Sequence, residues 1–301
     1  MLSFSHIVFF EVARNLSFSK AADLLFISQP AISKHIKNLE QQYNIHLFER
    51  KGNSILLTKE GEILFEHVSK AMDLKRQLEF DISIVKNKQQ AKGVLVVGAS
   101  TTVALYVMPG ILSAFHKAYP NISLRLVNRN SENILKALME QEIDLGIIEG
   151  KDKITSASYK FFIKDEVVPV CSAKSKLAKK RKINVEELKT MDVALRERGS
   201  GTLAAVTEAL LKHNIKISDL GSRIVLGGTE ALKNFLLDDT CIGFLPLRSV
   251  AKQLKSKELV RLNIPGLQIS REFYFVQRQG RNDKMNNLFI KMAIAHYNQL
   301  L

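Results

Sequence analysis

Residues 17–40 read Ser17-Phe18-Ser19-Lys20-Ala21-Ala22-Asp23-Leu24-Leu25-Phe26-Ile27-Ser28-Gln29-Pro30-Ala31-Ile32-Ser33-Lys34-His35-Ile36-Lys37-Asn38-Leu39-Glu40, and this stretch decides the fold. Two short helices with a tight turn between them fit it. Ser17 is placed to cap the first helix, because a serine oxygen accepts from a free first-turn amide. That helix buries Ala21, Ala22 and Leu24, and the alanines are small enough to let a crossing helix approach. The second helix starts near Gln29-Pro30, since proline is tolerated in a first turn, where no amide donor is needed. Its inner face is Ile32, Ile36 and Leu39; its outer face offers Gln29, Ser33, Lys34 and Lys37. One side suits a small core and the other suits the major groove of DNA.

Working outward, Phe4, Ile7, Val8 and Val12 recur at helical spacing over residues 3–14. Asn15 is then suited to the left-handed turn that ends a helix. Downstream, Leu47 to Thr58 reads as a hairpin around Gly52-Asn53, a wing that would lie along the DNA backbone. Residues 58–88 form one long helical pattern. Leu64, Val68, Ala71, Leu78, Ile82 and Val85, with Lys75 in one seam position, follow alternating four- and three-residue steps. That spacing marks a coiled-coil seam or a face packed on the helix's own domain. Pairing is the favoured reading, because one reading helix covers only a half-site. Lys86 to Lys92 reads as a linker.

From Val94 strands and helices alternate, so an α/β region follows. The pattern predicts strands at Val94–Gly98, Ile122–Val127, Ile143–Ile148, Tyr159–Ile163, Val167–Cys171, Val193–Arg196, Arg223–Leu226, Ile242–Leu245, Glu258–Leu262 and Glu272–Gln277. Helices are expected to Ala118 with a break at Pro109, then at Ser131–Met139, Thr202–His213, Thr229–Leu237 and Asp283–Gln299.

The formal charge of +14 is compatible with a nucleic-acid partner, but it is not concentrated in the reading segment. Residues 1–60 hold seven Lys/Arg against five acids, whereas residues 151–190 hold eleven against five. The run Lys174 to Lys182 therefore reads as a solvated loop. No apolar run reaches membrane-span length, and Met1 to His6 lacks the basic start of a secretory signal. A cytoplasmic protein with no membrane partner is expected. Cys171 and Cys241, seventy residues apart in apolar surroundings, read as buried core thiols, with a redox pair as the sharper alternative. No metal-ligand spacing, phosphate loop or nucleophile elbow is present, so neither metal nor cofactor nor enzymatic activity is expected.

At this point the chain resembles the LysR-type transcriptional regulators over essentially its whole length. The match is carried by Ser17 to Ala22, Leu24, Ser28 to Ser33, Ile36, Leu39-Glu40, Leu47-Phe48-Glu49-Arg50 and Leu57-Thr58. It continues in Tyr119-Pro120, Asp144-Leu145-Gly146-Ile147, Gly199-Ser200-Gly201-Thr202 and Gly243-Phe244-Leu245-Pro246. Leu16 departs from the glycine often seen there, and Asp239-Thr240-Cys241 from a usual glycine-rich approach. The resemblance implies an α plus α/β chain. Its parts are a winged helix-turn-helix (1–58), a dimerising linker helix and hinge (59–92), and a two-lobed α/β effector domain (93–301) like the type 2 periplasmic binding proteins. Two crossover strands, placed near Lys164-Asp165 and Pro265-Gly266, would divide lobe one (93–164 with 266–301) from lobe two (165–265). It also implies operator DNA, a small effector, a homodimer or homotetramer, and RNA polymerase as a further partner.

On this frame the residues acquire roles. Gln29 can present donor and acceptor to an adenine edge, Lys34 can donate to guanine, and Pro30 and Ala31 can meet a thymine methyl. Ser33, Lys37, Arg50 and Asn53 suit phosphates, with Lys51 beside them; Ser19 and Lys20 are counted with the DNA-binding set. In the effector domain three strand-to-helix turns carry small hydroxyl residues: Ser100-Thr101-Thr102, Ser200-Gly201-Thr202 and Thr229 after Gly227-Gly228. Free first-turn amides and the dipole end make such turns suitable for an anion, and ligands sit beyond the carboxyl ends of strands in open α/β sheets. The same residue types also serve as ordinary caps. Asn130 and Ser131 could join the site, and Arg196 and Arg198 flank it. Gly98 to Thr102 further resembles family members that control cysteine biosynthesis, which would make Thr102 and Thr202 ligands of sulfate or a small sulfur metabolite. The competing readings are a cytoplasmic solute-binding protein and a DNA-binding protein that needs no ligand.

Overall fold

The computed structural model describes residues 2–52, 54–86, 91–150, 154–280 and 283–298. The chain divides into two units, Met1–Val85 and Lys86–Leu301.

The first unit begins with α1 (Phe4–Asn15), α2 (Phe18–Leu25) and α3 (Gln29–Tyr43). A hairpin of β1 (Phe48–Lys51) and β2 (Ser54–Leu57) follows, then α4 (Lys59–Lys86). Val8, Phe9 and Val12 of α1 bury against Ala21 and Ala22 of α2 and against Ile32, Ile36 and Leu39 of α3. Removing this apolar surface from water is what holds three short helices together. Ser17 and Ser28 cap α2 and α3, accepting from the amides of Lys20 (3.2 Å) and Ala31 (3.4 Å). Two details differ from the sequence reading. Leu16, not Asn15, takes the left-handed turn (φ 44°); Asn15 stays helical and its side-chain amide donates to the Glu11 carbonyl at 2.9 Å. Leu24 is 56% exposed, because helical spacing from Ala21 and Ala22 leads to Leu25, which packs inward instead.

The antiparallel hairpin pairs Lys51 with Ser54, and Gly52 at φ +62° supplies the left-handed conformation that its turn requires. The α4 seam is divided. Leu64 and Val68 pack into the head's own core, whereas Leu78 and Ile82, with Leu74, are more than half exposed. Packing on its own domain therefore describes Leu64 and Val68 and not Leu78 and Ile82, although Phe80, between those two in sequence, is buried. The side chain of Val85 and linker residues 87–90 lie outside the described residues.

The second unit is built on one nine-stranded sheet. Its first part holds β3 (Gly93–Ser100), α5 (Thr101–Tyr106), α6 (Met108–Ala118), β4 (Ile122–Arg129), α7 (Ser131–Met139) and β5 (Leu145–Glu149). Next comes β6 (Ala157–Ser172), then β7 (Asp192–Arg196), α8 (Gly201–Leu211), β8 (Gly221–Leu226), α9 (Thr229–Asp238), β9 (Ile242–Pro246), α10 (Leu247–Ser256) and β10 (Leu259–Arg261). The chain returns through β11 (Ile269–Arg278) to α11 (Lys284–Asn298). The strand order is β4-β3-β5-β11-β6-β9-β7-β8, with β10 on β6. β3 runs parallel to β4 and β5 in lobe one, as β7 does to β8 and β9 in lobe two. β6 and β11, antiparallel to each other, pass through both lobes.

The expected pair of strands at 159–163 and 167–171 is thus one sixteen-residue strand. The charged triplet Lys164-Asp165-Glu166 looked like a break; Asp165 is in fact buried and paired. The second crossing is also displaced. Leu267 and Ile269 belong to a lobe-two core, and Arg271 pairs with Asp165 in the β11–β6 ladder, so the chain crosses near Ser270-Arg271 rather than at Pro265-Gly266. Helix α10 was not anticipated: Leu247, Val250 and Leu254 give it a narrow apolar stripe within a polar run. At the departure before β9, the Asp239 carboxylate accepts from the Cys241 amide (2.9 Å), closing the turn without glycine.

Candidate functional site

Two surfaces carry the expected residues. On the head, Ile32, Ile36 and Leu39 face the core, so Gln29, Pro30, Ser33, Lys34 and Lys37 are exposed on the opposite side of α3. Ser19 and Lys20 at the start of α2, and Arg50 and Lys51 on the wing strand, are exposed as well. Among the described residues, the side chains of Gln29, Ser33, Lys34, Lys37, Arg50 and Lys51 make no hydrogen bond or ion pair within the protein. Their donors are free for an outside partner. Asn53 lies outside the described residues.

The second surface is the cleft between the lobes. β3 and β5 end at Ser100 and Glu149, and β7 ends at Arg196; α5, α7, α8 and α9 start beside those ends. The three hydroxyl turns do come together. Thr102, Thr202 and Thr229 are buried, and the Thr102 and Thr229 hydroxyls lie 3.5 Å apart across the lobes. Ser100 and Ser200 stand at N-cap positions without a side-chain capping bond, and the buried Ser100 hydroxyl has no hydrogen-bond partner among the described residues. Asn130 does cap, accepting from the Asn133 amide at 3.0 Å, and its amide donates to the Arg198 carbonyl across the cleft at 3.4 Å. Thr101 is half-buried beside them.

At the centre is Arg271, which the sequence reading missed. All five guanidinium N–H donors are used. Nε and Nη2 donate to Asp165 Oδ2 at 2.9 and 2.7 Å. Nη2 also donates to Thr102 Oγ1 (3.1 Å), and Nη1 to Thr202 Oγ1 (2.8 Å) and Glu149 Oε1 (3.0 Å). Ser131 donates its hydroxyl proton to Glu149 Oε2. The other oxygen of Asp165 accepts from Arg248 Nε at 2.6 Å, and Arg248 Nη2 lies 3.2 Å from the Tyr297 hydroxyl. A second arginine, Arg196, is equally buried. It donates to Thr229 Oγ1 (2.8 Å) and forms two bonds to Glu197 (2.8 and 2.9 Å). Burial pulls the Glu197 carboxyl upward, but hydrogen bonding and charge from Arg196, with the Gly228 amide, outweigh it and hold the carboxyl below the usual range.

Glu149, Asp165, Glu197, Arg248 and Arg271 all escaped the sequence reading. The available signal was periodicity: Arg271 alternates in phase with the inward Ile269, Phe273 and Phe275, and Glu149 ends the apolar strand Leu145 to Ile148. A charge at an inward strand position needs a buried partner. The two thiols are buried; burial raises Cys171, and burial together with the Asp239 carboxylate pushes Cys241 up to about 12. Among the described residues there is no group of three or more His, Cys, Asp or Glu able to hold a metal, and no helix long and apolar enough to cross a membrane.

The arrangement has the parts of a ligand-controlled DNA reader, and comparison with known proteins bears on both halves. Residues 7–62 match the family described as "Bacterial regulatory helix-turn-helix protein, lysR family", and residues 88–298 match "LysR substrate binding domain". HTH-type transcriptional regulator CbbR of Rhodospirillum rubrum is 32% identical over 91% of this chain and 89% of its own. HTH-type transcriptional regulator CysL of Bacillus subtilis is 26% identical over 97% of each. Among solved structures, the regulatory domain of Synechocystis CcmR, in complex with 2-PG, superimposes with a TM-score of 0.61 at 26% identity, covering 68% of this chain and 97% of that one. With its head and its two-lobed domain each matched to one family, in the order the fold shows, this chain belongs to the LysR family of DNA-binding transcriptional regulators.

Proposed function

We propose that this regulator reads an operator as a homodimer or larger homo-oligomer through α3 and its wing, and answers to a small anionic metabolite held between the lobes. The observation that carries the effector half is the convergence of Arg271 on Thr102 of one lobe and Thr202 of the other. A charged fork that reaches hydroxyls on both lobes suits a carboxylate, phosphate or sulfate, and the CcmR regulatory domain, a neighbour in fold, is in complex with 2-PG. Failure of Ser100 and Ser200 to cap their helices supports the same reading. For the DNA half, the unpaired outward face of α3 supports Gln29 and Lys34 as base readers. Ser19, Lys20, Ser33, Lys37, Arg50 and Asn53 would then contact the backbone. The exposed Leu74, Leu78 and Ile82 of α4 supply an apolar stripe for pairing.

Control works by population shift: the ligand changes the balance of lobe arrangements by its differential affinity, and the paired heads change their spacing on DNA. Selection of bound genomic fragments, followed by titration against the selected operator and random DNA, tests the first half; equal affinity for both sinks it. Calorimetry with sulfate, thiosulfate and O-acetylserine tests the second, and heats at the dilution baseline for all three remove the sulfur assignment. Aspartate at both Leu78 and Ile82 should halve the mass in sedimentation without unfolding the head; an unchanged mass removes this stripe as the seam. RNA polymerase contact is tested by its recruitment to the operator complex.

A further inference from the structure

The cleft already contains an anion. Glu149 is 8% exposed and stands at the end of β5 in lobe one. Its carboxylate accepts from Arg271 at 3.0 Å and from the Ser131 hydroxyl at the first residue of α7. It also lies directly against the start of α8 in lobe two: a Cβ placed on Gly201 would meet Glu149 Cβ at 2.5 Å and Glu149 Oε2 at 2.6 Å. Gly201 begins an eleven-residue helix whose N-cap Ser200 makes no side-chain bond to it, so the start of that helix, its positive end, packs beside Glu149. An arginine, a hydroxyl and a helix start are the set that would hold a small oxyanion.

The bonding of Arg271 divides accordingly. Two donors go to Asp165, which Arg248 holds from its other oxygen, and this fixes the guanidinium. The remaining three reach Thr102, Thr202 and Glu149. Of these partners only Glu149 carries charge. Around it the lobes touch through further bonds: the Glu132 amide to the Gly199 carbonyl (3.4 Å), Asn130 to the Arg198 carbonyl (3.4 Å) and Lys233 to the Tyr106 hydroxyl (3.4 Å).

We infer that Glu149 is a built-in competitor: its carboxylate occupies the oxyanion seat at Arg271 and holds the lobes together before any effector arrives. This rests on the reading of the cleft as the effector site. The effector class narrows to an oxyanion small enough to replace one carboxylate, and binding exchanges Glu149 for it at Arg271. Because the Arg271–Glu149 pair and the Glu149–Gly201 contact already join the lobes, lobe closure alone is then not the signal; the signal is where the Glu149 chain goes when displaced.

The test uses the full chain, its Glu149→Gln variant and inorganic sulfate, with two readouts at constant ionic strength. Without sulfate, hydrogen exchange of the amides of residues 199–203 and of Glu132 should be at least tenfold faster in Glu149→Gln than in the parent. Sulfate should bind the variant at least tenfold more tightly in calorimetry and slow its exchange again. If Glu149→Gln is poorly folded, Glu149→Ala gives the exchange comparison, because it removes the carboxylate without adding bulk against Gly201. Unchanged exchange in the folded variant overturns the inference, whatever sulfate does. Faster exchange with no sulfate binding to either protein upholds Glu149 as the group closing the lobes, and removes the small-oxyanion reading of the cleft instead.

Discussion

The outward face of α3 and the cleft around Arg271 are both polar, yet they obey opposite rules. On α3, Gln29, Ser33, Lys34 and Lys37 are exposed and their side chains make no bond among the described residues. In the cleft, Arg271, Glu149 and Asp165 are buried, and every guanidinium donor is spent. A surface meant for a large partner can leave its donors in water until the partner arrives, because water satisfies them at little cost. A cleft closed to water cannot, so its groups bond one another and a ligand must exchange for a bond already made. The first surface is a set of independent contacts; the second is one coupled network.

That contrast can be broken or sharpened by substitution. The largest effect is expected for Arg271→Ala, which leaves Glu149 and Asp165 buried without their shared cation. A loss on the order of 3–5 kcal/mol in the unfolding of the second unit should follow in a denaturant titration, and a loss under about 1 kcal/mol would mean that water replaces the arginine. Next comes Gln29→Ala. It should cost roughly 1–3 kcal/mol on the operator and relax preference at one base pair, with the melting temperature unchanged. Equal loss on operator and random DNA would reduce Gln29 to a backbone contact. Smaller again, Lys37→Ala should weaken binding to all sequences alike and lower the salt slope by about one; an unchanged slope removes Lys37 from the phosphate set. The smallest effect is expected at the thiols. The thiolate is the reactive form; with both cysteines raised, and Cys241 at about 12, both stay protonated at pH 7–8. Neither should react with a disulfide reagent until the chain unfolds, and rapid labelling of the folded protein would reopen the redox reading.

The two surfaces also differ in how far the sequence discloses them. For the head, Ser17 and Ser28 announce two helix starts, and Ile32, Ile36 and Leu39 announce which side of α3 is inward. Leu24 and Leu16 were misplaced because each was judged by residue type rather than by helical phase or turn demand. For the cleft, the hydroxyl turns were legible, since small polar residues between a strand and a helix mark a carboxyl-end loop. The charged centre was not. Lys164-Asp165-Glu166 broke the apolar pattern and hid the middle of β6, and Arg271 sat between predicted elements. The partner that makes each of those charges tolerable is invisible along the chain.

By itself, then, the sequence determined the reading head, the long helix after it and the alternating α/β order. These follow from caps, periodicity and motif spacing, all of which act within a few turns of the chain. Tertiary structure alone decided that the hydroxyl turns meet, and that what they meet is an arginine already holding a carboxylate. Thr202 and Thr102 lie 69 and 169 residues from Arg271. Only the antiparallel passage of β6 and β11 through both lobes brings them within hydrogen-bond distance, and burial then forces every charge there to find a partner.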